Sequence, residues 1–317
     1  MSTYKQIHGE NIEIRSSDPG NPVEGQIWYN TTGQALKGTI VDPGTWVTGG
    51  FLNTARTTLC NIGENNSAAL AAGGSPIATG WTESYNGTSW TSVASMNTAR
   101  SRLAGAGTQT AGLVSAGDDG PASAAAESWN GTSWTSVASM NTGRFFVSGF
   151  GTNTAAITAG GEPPGPVVGL LVESWNGTSW TEVGDFNAAK RSFGSNGTQT
   201  SGLAYGGDPR TAATESWNGT SWTEVNDLNL SRLGLAGAGV DNTSALAIGG
   251  TIQPPATNST ESWNGTSWTE ENGLSTARYD LGGAGSLTSA ITAGGDVEPG
   301  NTNLTEEWNQ GPFNVTF

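Results

Sequence analysis

The stretch Glu127-Ser128-Trp129-Asn130-Gly131-Thr132-Ser133-Trp134 recurs almost unchanged at 83–90, 173–180, 215–222 and 261–268, and a decayed copy begins at Glu306. Successive copies start 44, 46, 42, 46 and 45 residues apart, the spacing of supersecondary units that form arrays or rings. Each copy reads as a β-hairpin, because Asn-Gly supplies positive-φ turn positions and aromatic and hydroxyl residues flank it on both sides. Two registers fit. With a two-residue loop Trp129 lies opposite Thr132; with a loop of Asn130 to Ser133 the two tryptophans face each other. In both, Glu127, Trp129 and Trp134 share one face. A lone hairpin cannot hide two tryptophans, so the units must pack on one another, as propeller blades do.

Outward from the hairpin the repeat continues. A basic residue leads into each unit at Arg56, Arg100, Arg144, Lys190, Arg232 and Arg278, six of the chain's 12 Lys and Arg residues. A strand rich in Gly and Ala follows, such as Leu103 to Gly107, and small side chains suit an innermost strand where backbones converge. The second strand ends in paired glycine, as at Gly73-Gly74 and Gly249-Gly250, with Gly117-Asp118 read as the exception. The six basic residues could form an anion-binding ring, or each could pair with a repeat-encoded carboxylate (Glu83, Glu127, Glu173, Glu215, Glu261, Glu306). Pairing is favoured, because a glutamate held beside packed tryptophans needs a partner.

Composition narrows the class. Of 317 residues 48 are Gly and 13 are Trp, only 12% are charged, and no window shows sustained helical apolar spacing, so an all-β protein of short strands is expected. The net charge of −15 repels phosphate backbones and anionic lipid, which argues against nucleic acid or membrane insertion. A single cysteine, Cys60, reads as a small apolar filler, and a single histidine, His8, argues against histidine-based metal or acid–base chemistry. No cofactor is expected. There is no apolar run long enough to span a bilayer and no readable export signal.

Residues 1–45 lie outside the repeat and are expected to form an N-terminal attachment arm built on a small β-hairpin. The segment from Gly25 to Lys37, with Trp28-Tyr29-Asn30-x-Thr32-Gly33-x-x-Leu36-Lys37, resembles an element in the N-terminal parts of tail and appendage proteins of tailed bacteriophages. That resemblance implies a virion protein, made in the host cytoplasm without a signal peptide and present in multiple copies. Residues 1–45 would then dock on other virion structural proteins, with Trp28 and Tyr29 as attachment residues.

From 46 to 317 the order is a basic lead-in, a second strand closed by Gly-Gly, an aromatic in the third strand and Trp in the fourth. This resembles the kelch repeat and implies a β-propeller of four-stranded blades, although the units are shorter than the roughly 50-residue kelch period; six basic lead-ins, six second strands and six Glu-initiated third strands make the expectation a six-bladed β-propeller. Trp46 is expected to supply the fourth strand of the last blade, in preference to Phe313. By strand parity the Asn-Gly turns share one face with loops such as Thr108-Gln109-Thr110. The other face carries the basic lead-ins and the loops after the glycine pairs, which vary in length and sequence and so mark a binding face. Candidate ligand-binding residues there are Asp118, Asp119, Glu162, Asp208, Arg210 and Asp296, with a host-surface glycan or protein, or a neighbouring virion component, as partner.

The functional expectation is a non-enzymatic tail-fibre or appendage component that binds a surface ligand. A capsid or tail decoration protein with a purely stabilising role is the first alternative. The second is a glycan-processing enzyme using two of these carboxylates. A copper site of the kind found in some kelch-type propellers would need His, Tyr and Cys ligands together, whereas His8 lies outside the repeats and Cys60 has no His partner within them.

Overall fold

A computed structural model of the chain describes residues 12–19, 26–41, 43–164, 169–252, 255–298 and 300–316; His8 and Gly25 lie outside them. The described residues are all-β, with seven four-stranded sheets, one two-stranded sheet and no helix. The chain divides into two compact units, Met1–Gly44 with Gln310–Phe317, and Thr45–Asn309. The expected boundary had placed 310–317 with the repeats. Instead the strand Pro312–Thr316 pairs antiparallel with Ala35–Val41, bringing Phe313 opposite Ile40.

In the first unit the anticipated hairpin forms between Ile27–Asn30 and Ala35–Val41, and Glu13–Arg15 runs parallel beside it. The reason for its sequence pattern is Asp18. Trp28 Nε1 donates to its Oδ1 at 3.2 Å, Asn30 Nδ2 donates to the same oxygen at 2.6 Å, and Lys37 Nζ donates to Oδ2 at 2.7 Å. Those bonds, Lys37's first, hold the Asp18 carboxyl below its ordinary pKa. Trp28 is completely buried, so the attachment role expected for it is corrected: it is the core of its own unit, and Tyr29 is the exposed neighbour.

The second unit contains six four-stranded antiparallel sheets, five of them built in simple up-and-down order. The first comprises Cys60–Asn65, Ala68–Ala72, Thr82–Tyr85 and Trp90–Val93. The inner strands of the next five are Ala104–Thr108, Ser148–Gly151, Gly194–Thr198, Ala236–Asp241 and Gly282–Gly285. The sixth sheet is completed by Thr45–Thr48, whose Trp46 lies opposite Trp308. Each inner strand contacts the inner strand of the next sheet, and Gly282–Gly285 contacts Cys60–Asn65.

The hairpins adopt the longer register, with Trp129 directly opposite Trp134 and their ring centroids 5.3 Å apart. Of the turn residues only Gly131 has positive φ, at 91°. Asn130 acts through its side chain instead, Oδ1 accepting from Thr132 N at 3.0 Å and Ser133 N at 2.9 Å, an Asx turn that satisfies the loop's amides.

The core is six apolar clusters, each lying between two adjacent sheets. A buried aromatic removes roughly 150–250 Å² from water, so at about 25 cal/mol per Å² each repeat tryptophan contributes on the order of 4–6 kcal/mol as an upper bound. Polar bonds tie the same sheets together. Trp134 Nε1 donates to Thr82 Oγ1 at 3.0 Å, Trp268 to Thr214 at 3.2 Å, Trp46 to Thr260 at 3.0 Å and Trp90 to Thr305 at 2.9 Å, in every case one sheet to its predecessor.

The glycine pairs serve the same junctions. Gly74 N donates to Arg100 O at 2.9 Å, and a Cβ on Gly73, at φ 70°, would come within 2.5 Å of that carbonyl. The pair in the second sheet is Ala116-Gly117 and not Gly117-Asp118, since Ala116 takes the equivalent φ of 62° and Gly117 N bonds Arg144 O.

Candidate binding face

Each basic lead-in is committed inside its own sheet. Arg100 Nη2 lies 2.8 Å from Glu127 Oε1, while its Nη1 donates to Ala116 O at 3.0 Å and Ala125 O at 2.6 Å. Glu127 Oε2 in turn accepts from Asn97 N at 2.7 Å. The other five pairs (Arg56–Glu83, Arg144–Glu173, Lys190–Glu215, Arg232–Glu261, Arg278–Glu306) are equally buried, at 2.8 to 3.4 Å. These cations are partnered and out of solvent, which excludes them as an anion-binding ring.

Two residues after each lead-in the chain turns sharply at Thr58, Arg102, Phe146, Ser192, Gly234 and Asp280, all with φ between 50° and 63°. Five of the six are not glycine, and a β-branched or aromatic residue held there is strained by on the order of 1–2 kcal/mol. What holds them is a run of backbone bonds: Arg102 N to Thr58 O, Phe146 to Arg102, Ser192 to Phe146, Gly234 to Ser192, Asp280 to Gly234, and Thr58 to Asp280. The bonds measure 2.7 to 3.1 Å and return to the residue where they began. They encircle a cavity of about 120 Å³ lined by these residues and by the start of each inner strand.

Four of the six ligand-binding candidates stand around this mouth. Asp118, Glu162, Asp208 and Asp296 occupy one repeat position, each bridged to the residue after a lead-in: Ser101, Phe145, Arg191 and Tyr279. Their charges are already engaged. Asp118 Oδ2 accepts from Arg102 Nη1 at 2.6 Å, and the Arg102 guanidinium sits 4.6 Å from the centroid of the Phe146 ring. Arg191 is clamped between Asp208, at 2.6 Å, and Glu162 of the preceding sheet. Burial, with Asp296 adding to it, pushes the Tyr279 hydroxyl's pKa up. Asp119 and Arg210 are exposed on the adjoining loops, Arg210 Nη1 donating to Ile252 O.

The structure adds residues that sequence reading missed. Asp280 is half-buried at the mouth, and its pKa is pushed up to about 6 by burial, with Asp296 adding to the effect and Arg102 opposing it. Asn61 is 7% exposed with neither amide atom hydrogen-bonded, although leaving such a group unpaired costs about 1–3 kcal/mol. It lines both this cavity and a second one of about 90 Å³ farther along the inner strands. Cys60 also faces the cavity, but burial pushes its thiol's pKa up to about 12, so it behaves as apolar filler. The signal for Asp280 was present, since the second position after each lead-in is chemically different in every repeat. Asn61 was legible as the one long polar side chain where the other inner strands carry Gly105, Gly149, Ser195, Gly237 and Gly283.

At the opposite end of the sheets five of the six carry the same Asn-Gly turn. The Asn-Gly turns lie against the loops between first and second strands, a Cβ on Gly131 coming within 3.3 Å of Thr110 O, and Gln109 Nε2 donates at 3.0 Å to Ser84 Oγ in the third strand of the preceding sheet. Among the described residues no cluster of three or more His, Cys, Asp or Glu is arranged to hold a metal ion. A scan against protein-family models finds no match, and neither does a search of the curated proteins.

Proposed function

We propose that Thr45–Asn309 is a closed, six-bladed, kelch-like β-propeller, and that the chain is a non-enzymatic binding component of a tailed-bacteriophage virion. The ring reading is supported by six sheets of like order, by inner strands that contact in sequence from the first sheet round to the first again, and by the run of six backbone bonds at the mouth. The phage reading rests on the resemblance of the Trp28 to Lys37 segment, whose unit would dock on the particle through exposed residues such as Tyr29.

The single observation that carries the binding role is the contrast between the two ends of the sheets. At one end five of the six repeats present the same Asn-Gly turn. At the other, equivalent positions carry Thr58, Arg102, Phe146, Ser192, Gly234 and Asp280 around a cavity, beside Ser75, Asp118, Glu162, Asp208, Thr251 and Asp296. A framework needs sameness; a recognition surface needs distinct groups at defined places.

The test is cell-associated fluorescence of the labelled full chain on a panel of bacterial cells. Binding is expected, with loss in Asp118→Lys and Asp208→Lys and retention in Thr132→Lys, which alters an Asn-Gly turn. Binding that survives the first two and disappears in the third places recognition on the opposite face. Release of reducing sugar from the cells would favour the glycan-processing enzyme instead.

A further inference from the structure

We propose that the cavity at the mouth receives the side chain of a lysine presented by a partner protein, its ammonium group held by the carboxylate of Asp280 in the gap that Gly234 leaves. The inference rests on the binding-face reading above and gives that face a ligand class.

Asp280 is the reason to look here. It lines the cavity, and its charge is not engaged as those of its neighbours are. Asp118, Glu162 and Asp208 bond Arg102 and Arg191, whereas among the described residues neither Asp280 oxygen accepts a hydrogen bond or forms an ion pair. The carboxylate is not packed away either: the residue is partly exposed, and its oxygens are not among the side-chain atoms cut off from solvent.

The mouth is shaped around it. Oδ1 lies beside Gly234, where a Cβ would come within 2.8 Å of it. Gly234 stands between Ser192 and Asp280 in the run of backbone bonds, so its missing side chain leaves room between a hydroxyl and a carboxylate. Among the described residues the Ser192 hydroxyl is likewise without a partner and open to solvent. Phe146 is three bonds from Asp280 in either direction round that run, and therefore faces it across the mouth.

This set selects for a compact cation on an apolar stem. An anion would meet the Asp280 carboxylate while the guanidinium groups of Arg102 and Arg191 are held by their own acids. An uncharged ligand would leave the half-buried carboxylate without a counter-charge. A dedicated metal site needs more ligands, and among the described residues no cluster of three or more His, Cys, Asp or Glu is arranged to supply them. An ammonium group has three donors and no acceptor, so it can donate to Asp280 and to the Ser192 hydroxyl at once. The methylene stem behind it lies along the Phe146 ring, as lysine stems do on apolar surface. The size agrees: a water needs about 10–15 Å³ of such space, so about 120 Å³ admits on the order of ten non-hydrogen atoms, enough for a lysine side chain and a few waters. The net charge of −15 draws a cationic partner toward the chain.

The experiment is ligand-observed NMR and calorimetry on the full chain with acetylated, amidated tripeptides carrying lysine, arginine or norleucine between two glycines, and with glucosamine and magnesium chloride. At pH 7 the lysine peptide is expected to bind. The norleucine peptide, the same stem without the charge, should bind at least about tenfold more weakly, and so should the lysine peptide to Asp280→Asn. Between pH 7 and 5 the wild-type affinity should fall about tenfold, because the Asp280 carboxyl titrates near 6 and only its charged form holds an ammonium. Asp296 and Tyr279 in its own sheet and Arg102 with Asp118 in the second also face this carboxyl, so the slope must be absent in Asp280→Asn. That variant is expected to melt no lower than wild type at pH 7, since an unpaired charge is removed, so loss of binding cannot be loss of fold. The proposal is overturned if the lysine peptide does not bind, if norleucine binds as tightly, if arginine, glucosamine or magnesium binds more tightly, or if Asp280→Asn binds as well as wild type. Failure with the lysine peptide while cells are still bound removes this ligand and leaves the binding face. Lysine binding without any cell binding does the reverse.

Discussion

Trp46 lies directly opposite Trp308, their ring centroids 5.3 Å apart, although they come from opposite ends of the repeat unit. The strand that carries Trp46 therefore joins the sixth sheet, and its Nε1 reaches Thr260 of the fifth. Residues 311–316 take no part in that sheet. Deleting them is expected to leave the main thermal transition of the repeat unit within about 2 °C, whereas Trp46→Ala should cost roughly 3 kcal/mol, as other large aromatic truncations do. Differential scanning calorimetry of the two variants checks this; a larger loss from the deletion would put the closing strand at the C-terminus.

The buried pairs make a second expectation. Arg144→Gln leaves Glu173 charged and buried, and removing one partner of such a pair costs about 3–5 kcal/mol. Cell binding by the fraction that remains folded should change little, because neither residue reaches the mouth. A variant that keeps its stability and loses binding would return Arg144 to the recognition surface.

Lys190 is the departure among the six lead-ins, 3.4 Å from Glu215 and 6.0 Å from the Phe186 ring centroid. Where Phe186 stands the other sheets place Leu52, Met96, Met140, Leu228 and Leu274, so the larger ring fills volume that a guanidinium takes elsewhere. Lys190→Arg alone is expected to overpack and Phe186→Leu alone to leave a void, each costing about 1–3 kcal/mol. The double variant should recover at least about 1 kcal/mol of the sum. Urea unfolding of the three proteins measures it, and strict additivity would refute the coupling.

The repeat was legible because it is a packing rule written six times. Glu127, Trp129 and Trp134 recur together because all three must be buried at once, and the pairing of Arg100 with Glu127 followed from the cost of an isolated buried charge. Register was not legible, since both loop lengths put the same side chains on the same face; Asn130 chose between them by bonding the turn amides itself. The mouth was legible only in part. Asp118 and Asp208 were found as acidic groups in variable loops, but Arg102 and Asp280 act through a turn with positive φ that nothing in their residue types announces. Trp28 misled because an aromatic in a short motif reads as a contact residue, while its partner Asp18 lies ten positions away.

Two junctions between sheets lack the threonine that the others use: at Ala126, where Trp180 Nε1 donates to Ala138 O at 3.0 Å instead, and at Val172. Thr82, Thr214, Thr260 and Thr305 each accept from a tryptophan of the following sheet, but the same position in the third sheet is Val172, and Trp222 Nε1 is left buried without a partner. Val172→Thr keeps the side chain's shape and offers the missing acceptor. It is expected to raise stability by about 0.5–1.5 kcal/mol, reversing the usual penalty for a hydroxyl in an apolar site. Chemical unfolding decides: a loss of stability would mean that Trp222 Nε1 is not aimed at this position.

The final expectation concerns pH and Asp280. Its carboxyl titrates near 6 in the folded chain, against about 3.9 when unfolded. The folded state therefore holds this proton more tightly, and the contribution to stability is fully present below about pH 4 and lost as pH rises through about 6. Above that the carboxylate sits charged at the mouth, offset in part by Arg102. Asp280→Asn removes the charge while keeping a polar group of the same size. At pH 7 to 8 the variant should be the more stable by about 1–2 kcal/mol, less than the full shift implies because the group is only half-buried, and the gap should close toward pH 4. Arg102→Ser removes the opposing charge and should move the midpoint of that closure above 6. Melting temperatures of the three proteins between pH 4 and 8 test the sign. A gap independent of pH, or one that widens on acidification, would show that Asp280 is solvated like an ordinary surface carboxylate and that the mouth is open to water at its rim.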